Sequence, residues 1–541
     1  MKKIYSSISA ALLILMMAIT FSARAQKIVE LMQPGSNKTV IKLMFHNGSI
    51  SDPVGKEGLT QFTTSMIAEG GSRTMTKSMI DETIYPWSAS IGASVDKEVS
   101  IFTFECPYQY IDSFYPIIRD LITAPAFEKA DFSRIASNQQ NYVDEVIRSS
   151  SDEEYSKKAL EDLLFRGTNY QHMVEGTSLG VKNISPEDVI GHYRKFFCVN
   201  NLMIGIAGNY PDWLVRNLKS DLTKLGNSPM AETLQPAKPK MPVGLQIEIV
   251  QKENALGSAI CMGFPMDITR SNDEFAALMV ANSWLGEHRK SYSHLYKKIR
   301  EERSINYGDY SYIEWYENGG RNMLPPPGVP RQSNYFSIWI RPVQTAAGLK
   351  KQYAELSDIN IGHAHFAIRM ALHEMQQLID KGMSEDDFEA TRTFLRSYMK
   401  LYIQSTESQL GYLMDSRYYG RKDYISEMDN LLKSLTLDQV NSAMKKYWQT
   451  QNMYVTIVTD KTEALPLKKS LESNAPSPMS YSKNLKSSLS ESILAEDKTI
   501  QKYPLNVKSV AIINSADTFK EQPAEKQVSP EKVLPEMKKA K

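Results

Sequence analysis

Ile184-Ser185-Pro-Glu-Asp-Val189, followed by Lys195-Phe196-Phe197 and Asn201-Leu-Met-Ile204-Gly-Ile206-Ala-Gly208, has a counterpart further along the chain. It is Leu435-Thr436-Leu-Asp-Gln-Val440, then Lys446-Tyr447-Trp448 and Asn452-Met-Tyr-Val455-Thr-Ile457-Val-Thr459. Ser185 and Thr436 stand 251 positions apart, as do Asn201 and Asn452, so the anchors align without a gap. Agreement of residue type and spacing over this length marks an internal duplication. Each copy reads as a capped helix followed by a buried strand. Ser185 is an N-cap with Pro186 at the first helical position, and Thr436 serves as the cap in the second copy. Leu202, Ile204 and Ile206 alternate along one strand face, as do Met453, Val455 and Ile457.

Earlier in each copy an apolar strand precedes a helix. Thr39–Phe45 leads to a helix after Gly58, and Ala259–Phe264 leads to one opened by Ser271-Asn-Asp-Glu274, which has capping-box spacing. A helical run from Ser384 to about Tyr419 corresponds loosely to one from Ala130 to Ile147. The prolines in the stretch Gly226 to Pro242 favour an extended connector. The expected organisation is residues 26–225 and 244–462 as two homologous domains joined by a linker at 226–243. An extension at 463–519 carries the apolar alternation of Val507 to Ile513. Residues 520–541 are rich in Glu, Lys and Pro and read as a disordered tail.

A chain of 541 residues is too long for one ordinary core. Lys+Arg 63 against Asp+Glu 62 gives neither a nucleic-acid footprint nor a polybasic membrane surface. Residues 1–25 read as a signal peptide: Lys2 and Lys3, an apolar run from Ile8 to Phe21, then Ala23-Arg24-Ala25 before Gln26. The run is shorter than a bilayer-spanning helix needs, and no later segment is long and apolar enough to span. A periplasmic or secreted location is expected. Cys106, Cys198 and Cys261 are odd in number and far apart, so buried free thiols are expected rather than a disulfide scaffold.

The stretch Asn47-Gly-Ser-Ile-Ser-Asp52-Pro-Val-Gly-Lys-Glu-Gly58-Leu-Thr-Gln61-Phe-Thr-Thr64-Ser65 resembles the glycine-rich lead-in and inverted zinc motif of the pitrilysin/insulinase metallopeptidase family. In that motif, His-x-x-Glu-His, two histidines at i and i+4 grip the metal from one helical face while the glutamate takes a proton from bound water. Here those places fall on Gln61, Thr64 and Ser65. An amide and hydroxyls are poor zinc ligands beside imidazole, and threonine is no general base near neutral pH. The third ligand of the family is a downstream glutamate, for which Glu145 in Tyr142-Val-Asp-Glu145-Val-Ile-Arg148 is the candidate. No metal site is therefore expected in this chain. The resemblance covers roughly residues 27 to 460 and implies an α+β fold, with two mixed domains of antiparallel sheet and packed helices forming a half-clamshell.

Ser293-His-Leu-Tyr-Lys-Lys-Ile299-Arg300-Glu-Glu-Arg303-Ser-Ile-Asn-Tyr307-Gly308 resembles the family segment Leu-Arg-Glu-x-x-Gly-Leu-x-Tyr. That segment supplies an arginine and a tyrosine seven positions apart, which face the zinc half and hold the substrate backbone beside the scissile bond. Arg300 and Tyr307 match the spacing, while Ser304 stands where the family has glycine. A guanidinium and a phenol can donate to a carbonyl oxygen as negative charge develops on it. On the residues alone, Arg300 and Arg303 with Glu301 and Glu302 make a solvated helix end, and Tyr307 begins a strand.

The resemblance implies that a zinc-bearing homologous subunit supplies the metal. This chain would then bind unfolded peptide and add Arg300 and Tyr307 in trans, without peptidase activity of its own. The alternative is a non-catalytic peptide-binding or scaffold protein of the cell envelope. A replacement metal cluster from His363, His365, His373 and Glu374 is a weaker reading, because Phe366, Met370, Leu372 and Met375 mark an amphipathic helix. Gly70-Gly71 and Gly319-Gly320 are turns without the following Lys-Ser or Lys-Thr of a phosphate loop. Tyr310, Tyr312, Trp315 and Tyr316 could line a peptide groove, with core and strand packing the plainer use.

Overall fold

A computed structural model describes residues 27–228, 235–236, 238–288, 290–314 and 326–520. The signal-peptide and tail readings, Gly319-Gly320, Trp315 and Tyr316 lie outside the described residues, Lys520 of the tail excepted, as does part of the linker. The strands are β1 (Lys27–Met32), β2 (Lys38–Phe45), β3 (Ser90–Val95), β4 (Ser100–Pro107) and β5 (Leu202–Gly208), then β6 (Leu245–Lys252), β7 (Gly257–Met266), β8 (Asp309–Tyr312), β9 (Asn334–Gln344), β10 (Met453–Asp460) and β11 (Val507–Asn514). The helices used below are α1 (Leu59–Ala68), α2 (Lys129–Asn141), α3 (Asp152–Leu164), α4 (Pro186–Phe196), α5 (Phe275–Gly286), α6 (Ala364–Lys381), α7 (Glu385–Tyr402), α8 (Thr406–Tyr418), α9 (Leu437–Tyr447) and α10 (Glu491–Ile500).

The duplication is visible in the topology. The first sheet runs β1-β5-β2-β4-β3 and the second β6-β10-β7-β9-β8, one order repeated, with β11 added outside β6. Three pairings in each sheet are antiparallel; β1 with β5, β6 with β10 and β11 with β6 are parallel. Capping boxes form at Ser185 on α4 and Thr436 on α9. The one expected at Ser271 does not: α5 begins at Phe275 with Glu274 as N-cap, and the Glu274 carboxylate accepts from Lys446 Nζ at 2.7 Å and Tyr447 Oη at 2.6 Å instead. The run from Ser384 breaks after Tyr402 into α7 and α8, each with its own serine cap.

That break matters, because α8 belongs by contact to the other half. On β5 the residues Leu202, Ile204 and Ile206 face the first domain's own helices. Met203 and Ala207, with Val29, Val40 and Met44, face Leu410 and Met414 of α8. A Cβ at Gly205 would run into Met414 Sδ, so glycine is what lets α8 lie close on the strand. The exchange is reciprocal. α3 packs on the second sheet: Leu160 meets Cys261, Tyr310, Tyr312 and Trp339. Thr456 Oγ1 donates to Ser156 O at 3.0 Å, and Lys157 Nζ lies 3.9 Å from the Trp339 ring centroid. Each sheet is thus covered by its own helices on one face and by a helix of the other half on the opposite face, which explains why β5 is buried along its whole length. All three cysteines are buried and none forms a disulfide.

A buried ionic cluster closes the seam. Arg331 Nε and Nη2 donate to Asp96 at 2.7 and 2.6 Å, and its Nη1 donates to Glu161 at 2.5 Å. Beside it Lys97 Nζ donates to the carbonyls of Tyr170 and His172 at 2.8 and 2.5 Å, and Glu98 accepts from Tyr170, Tyr418 and the Gln332 N–H. Burial alone would raise Glu161, yet Lys97 and Arg331 overcome it and hold the carboxyl at about 2. Removing one partner strands the others without solvent, so Arg331→Ala should cost about 3–5 kcal/mol in urea unfolding. Because Glu161 is depressed from its usual 4.5 to about 2, its contribution is full above pH 4.5 and is lost as pH falls toward 2. Glu161→Gln should therefore show a shallower loss of stability over that window than the parent chain.

Candidate functional site

The lead-in to α1 is held from several directions. The Asp52 carboxylate accepts from Gly58 N and Thr60 N, each at 2.7 Å, from Thr60 Oγ1 at 2.6 Å and from His172 Nε2 at 3.1 Å. It caps the helix from six residues upstream and complements its positive end. Gly58 has φ +99°, and a Cβ there would lie 2.6 Å from Glu175 O. Gln139 Nε2 on α2 donates to both Gly58 O, at 2.9 Å, and Glu175 O, at 2.7 Å. Leu59, Phe62 and Met66 pack on Ile135, Ile184 and Val189.

On this frame Gln61 and Ser65, one turn apart, face each other, with Gln61 Nε2 donating to Ser65 Oγ at 3.1 Å. Thr64 is 1% exposed and sits 3.5 Å from Ser100 Oγ, which itself donates to Asn47 O at 2.6 Å. Glu145 is exposed on a π-helical turn, Tyr142–Val146, that follows α2 directly. A π turn inserts an extra residue and rotates everything after it relative to an α-helical count. Ile135 and Gln139 of α2 reach α1, as does Phe132, whose ring lies 4.8 Å from that of Phe62, and no hydrogen bond or ion pair among the described residues joins Glu145 to Gln61, Thr64 or Ser65. Zinc does not fit this donor set, which offers an amide and two hydroxyls already engaged with one another or with β4. Among the described residues no group of three or more His, Cys, Asp or Glu is arranged to hold a metal ion.

The histidines of α6 are placed separately. His363 Nε2 donates to Ser480 O at 2.9 Å, and His365 Nδ1 pairs with Ser470 Oγ at 3.0 Å, with burial pushing His365 down to about 3. Glu374 accepts from His373 Nδ1 at 2.8 Å and from His294 Nε2 at 2.6 Å. Tyr310 and Tyr312 are buried in strand packing.

Arg300 and Tyr307 flank a tight turn after a second π-helical segment, Tyr296–Glu301. The Arg300 guanidinium lies 5.3 Å from the Tyr307 ring centroid, within cation–π range, and Tyr307 is 76% exposed. Its neighbours are fixed. Ile299 and Ile305 are buried, and Asn306 Nδ2 donates to Asp309 Oδ1 at 2.7 Å and Arg341 O at 3.1 Å. Burial pushes the Asp309 carboxyl well above the usual range. Arg303, three positions after Arg300, is 1% exposed and ion-paired, so the turn sorts two arginines that look alike in sequence into a half-buried one beside the exposed Tyr307 and a fully buried anchoring one. Ser304 has φ +54°, so the left-handed conformation that favours glycine is retained with a serine in place.

No hydrogen bond, ion pair or ring contact among the described residues joins Arg300 or Tyr307 to Gln61, Thr64 or Ser65. Two further features were silent in the sequence. Among the described residues β3 is an edge strand, paired only with β4 and exposed over most of its length, and α1 packs beside it. Arg331 follows a Pro-rich stretch with no periodicity to mark it.

Residues 27–178 match the family described as insulinase (peptidase family M16), and residues 183–395 match the peptidase M16 inactive domain. The chain belongs to the insulinase (M16) family. Curated relatives include an uncharacterized zinc protease YmxG of Bacillus subtilis, 19% identical over 418 residues, covering 76% of this chain and 91% of the relative. A non-peptidase homolog YmxG of Helicobacter pylori is 18% identical over 429 residues, covering 78% and 89%. Among solved structures, an M16 inactive domain from Pseudomonas fluorescens superposes with a TM-score of 0.68 at 16% identity, over 81% of this chain and 96% of that one. A chain of complex III2 from Candida albicans gives 0.63 at 12% identity, over 80% and 93%.

A left-handed non-glycine residue costs about 1–2 kcal/mol, part of which glycine returns by loosening the unfolded chain. Ser304→Gly should thus raise stability by about 0.5 kcal/mol and Ser304→Val should lower it by more than about 1 kcal/mol, read by thermal unfolding.

Proposed function

We propose that this protein is a zinc-free M16 subunit that binds unfolded peptide and completes the active site of a zinc-bearing homologue by presenting Arg300 and Tyr307. The observation that carries this reading is the contrast between the two motifs. α1 keeps a fully braced frame around residues that cannot hold zinc, while Arg300 and Tyr307 are stacked and presented on a rigid turn. A guanidinium and a phenol positioned there can donate to a peptide carbonyl that another subunit's metal polarises. An extended peptide would add to the free edge of β3, main chain to main chain. The metal chemistry belongs to the partner, and assembly by mass action makes activity depend on the concentration of both subunits. The relative named a non-peptidase homolog supports the absence of independent activity. The processing signal at the N-terminus supports a periplasmic or secreted location, with Gln26 as the mature first residue.

A second reading, a scaffold protein of the cell envelope without turnover, is favoured by the likeness to a chain of complex III2. The two separate on one experiment with the full mature chain and a zinc-bearing homologue from the same source. Under the first reading the pair cleaves a casein-like substrate. Arg300→Ala and Tyr307→Phe each lower its kcat/KM at least about tenfold without altering assembly or the zinc content of the partner. Unchanged turnover in both variants rejects the role given to these side chains, and a pair that never cleaves leaves the scaffold.

A further inference from the structure

The segment after α9 and β10 returns across the molecule and touches both π-helical turns. In the second domain, Arg303 Nη1 donates to Lys298 O at 2.7 Å, inside the turn that carries Arg300. The same guanidinium is gripped from the extension: Nε donates to Asp497 Oδ1 at 2.8 Å and Nη2 to Glu496 Oε2 at 2.5 Å, both on α10. Lys298 Nζ donates to Glu496 Oε1 at 2.9 Å, and Tyr481 Oη donates to Asp497 Oδ2 at 2.7 Å.

In the first domain the arrangement is repeated by other residues. Arg148 Nη1 donates to Val143 O at 2.5 Å and Asp144 O at 2.9 Å, in the turn that carries Glu145. Its Nε and Nη2 donate to Ser515 O at 3.1 Å and Thr518 O at 2.9 Å. Tyr155 Oη reaches Ser515 O at 3.0 Å, and the Phe519 ring lies 5.6 Å from that of Tyr155. Between the two anchor points β11 is paired along β6. A π turn has a distorted backbone ladder, and in both places an arginine takes up its carbonyls while the extension holds the arginine.

We propose that residues 477–519 are a strap that positions the Arg300–Tyr307 pair, with Glu496 and Asp497 acting through Arg303. The proposal rests on the peptide-contacting reading of that pair and adds what holds it in place. Arg303 stands between Arg300 and the left-handed Ser304, so fixing its guanidinium fixes both the end of the π turn and the direction in which the chain leaves toward Tyr307. Arg303, Glu496 and Asp497 are positioning residues: Arg303 and Asp497 are buried, and Glu496 is ion-paired with Arg303 and Lys298.

The test uses the full mature chain carrying Glu496→Gln with Asp497→Asn, changes that keep shape and remove charge. Hydrogen exchange of the isolated chain should accelerate about tenfold or more at amides 299–308 while the strand amides of 202–208 and 453–460 keep their protection. In the pair with the zinc-bearing homologue, loss of turnover should be non-additive with Arg300→Ala, because both changes remove one positioned guanidinium. Unchanged exchange at 299–308, or additive losses, overturns the strap. If the double variant loses strand protection, Glu496→Gln alone is read in the same way. Should Arg300→Ala alone leave the pair unaffected, the peptide-contact reading fails, and the exchange measurement still decides whether the strap orders the turn.

Discussion

The structure depends on a mutual exchange: α3 of the first half covers the second sheet and α8 of the second half covers the first. A sheet with two apolar faces needs two layers, and a single duplicated unit supplies only one from its own helices. Each half therefore leaves β2 and β5, or β7 and β10, with a face that only the other half can bury. Met203, Gly205 and Ala207 on one side, with Cys261 and Val458 on the other, are the residues that make neither half complete alone. The Arg331 cluster lies in the same seam and adds direction to it. Apolar faces tolerate sliding, whereas an arginine held in a bidentate pair with Asp96 and a third contact with Glu161 admits one register.

This constraint sets what the site can be. With α3 and α8 exchanged between the halves, no hydrogen bond, ion pair or ring contact among the described residues joins Arg300 or Tyr307 to Gln61, Thr64 or Ser65. Under the proposed function the two motifs serve separate surfaces. The braced α1 is consistent with that: Asp52, Gln139 and the close approach of Gly58 to Glu175 keep a helix and the neighbouring open edge of β3 in place after the metal ligands are gone. Under the proposed function their use is geometric, to hold a strand edge and a surface steady.

Much of this was legible in the residues, and the parts that were not have identifiable causes. The 251-residue offset marked the two copies because capped helices and buried strands repeat type and spacing together. The near-continuous apolar run Leu202 to Ala207 also carried the covered outer face, although alternation alone draws attention only to Leu202, Ile204 and Ile206. The capping box at Ser271 failed because Glu274 had a better partner in Lys446 and Tyr447, a tertiary contact invisible to local spacing. Glu145 is the counterpart of the family's downstream glutamate by resemblance alone, and it lies exposed on the π turn at 142–146. Arg303 and Arg300 have the same local composition; only burial against a segment nearly two hundred residues away distinguishes them.

The same asymmetry bears on what a lost active site leaves behind. Metal ligation is an all-or-none property of a few side chains, and substituting an amide and two hydroxyls removes it without cost to packing, since Gln61 and Ser65 satisfy each other and Thr64 is buried near Ser100. Arg300 and Tyr307 are different. Tyr307 is exposed and makes a cation–π contact with Arg300, while the surrounding turn is anchored by Ile299 and Ile305 in the second domain's core, by the buried Asp309 and by the ion pairs of Arg303. The turn thus joins an exposed aromatic ring and a left-handed serine to a framework that the core and the extension hold in place. Under the proposed function the second motif, not the first, carries the contact with the substrate.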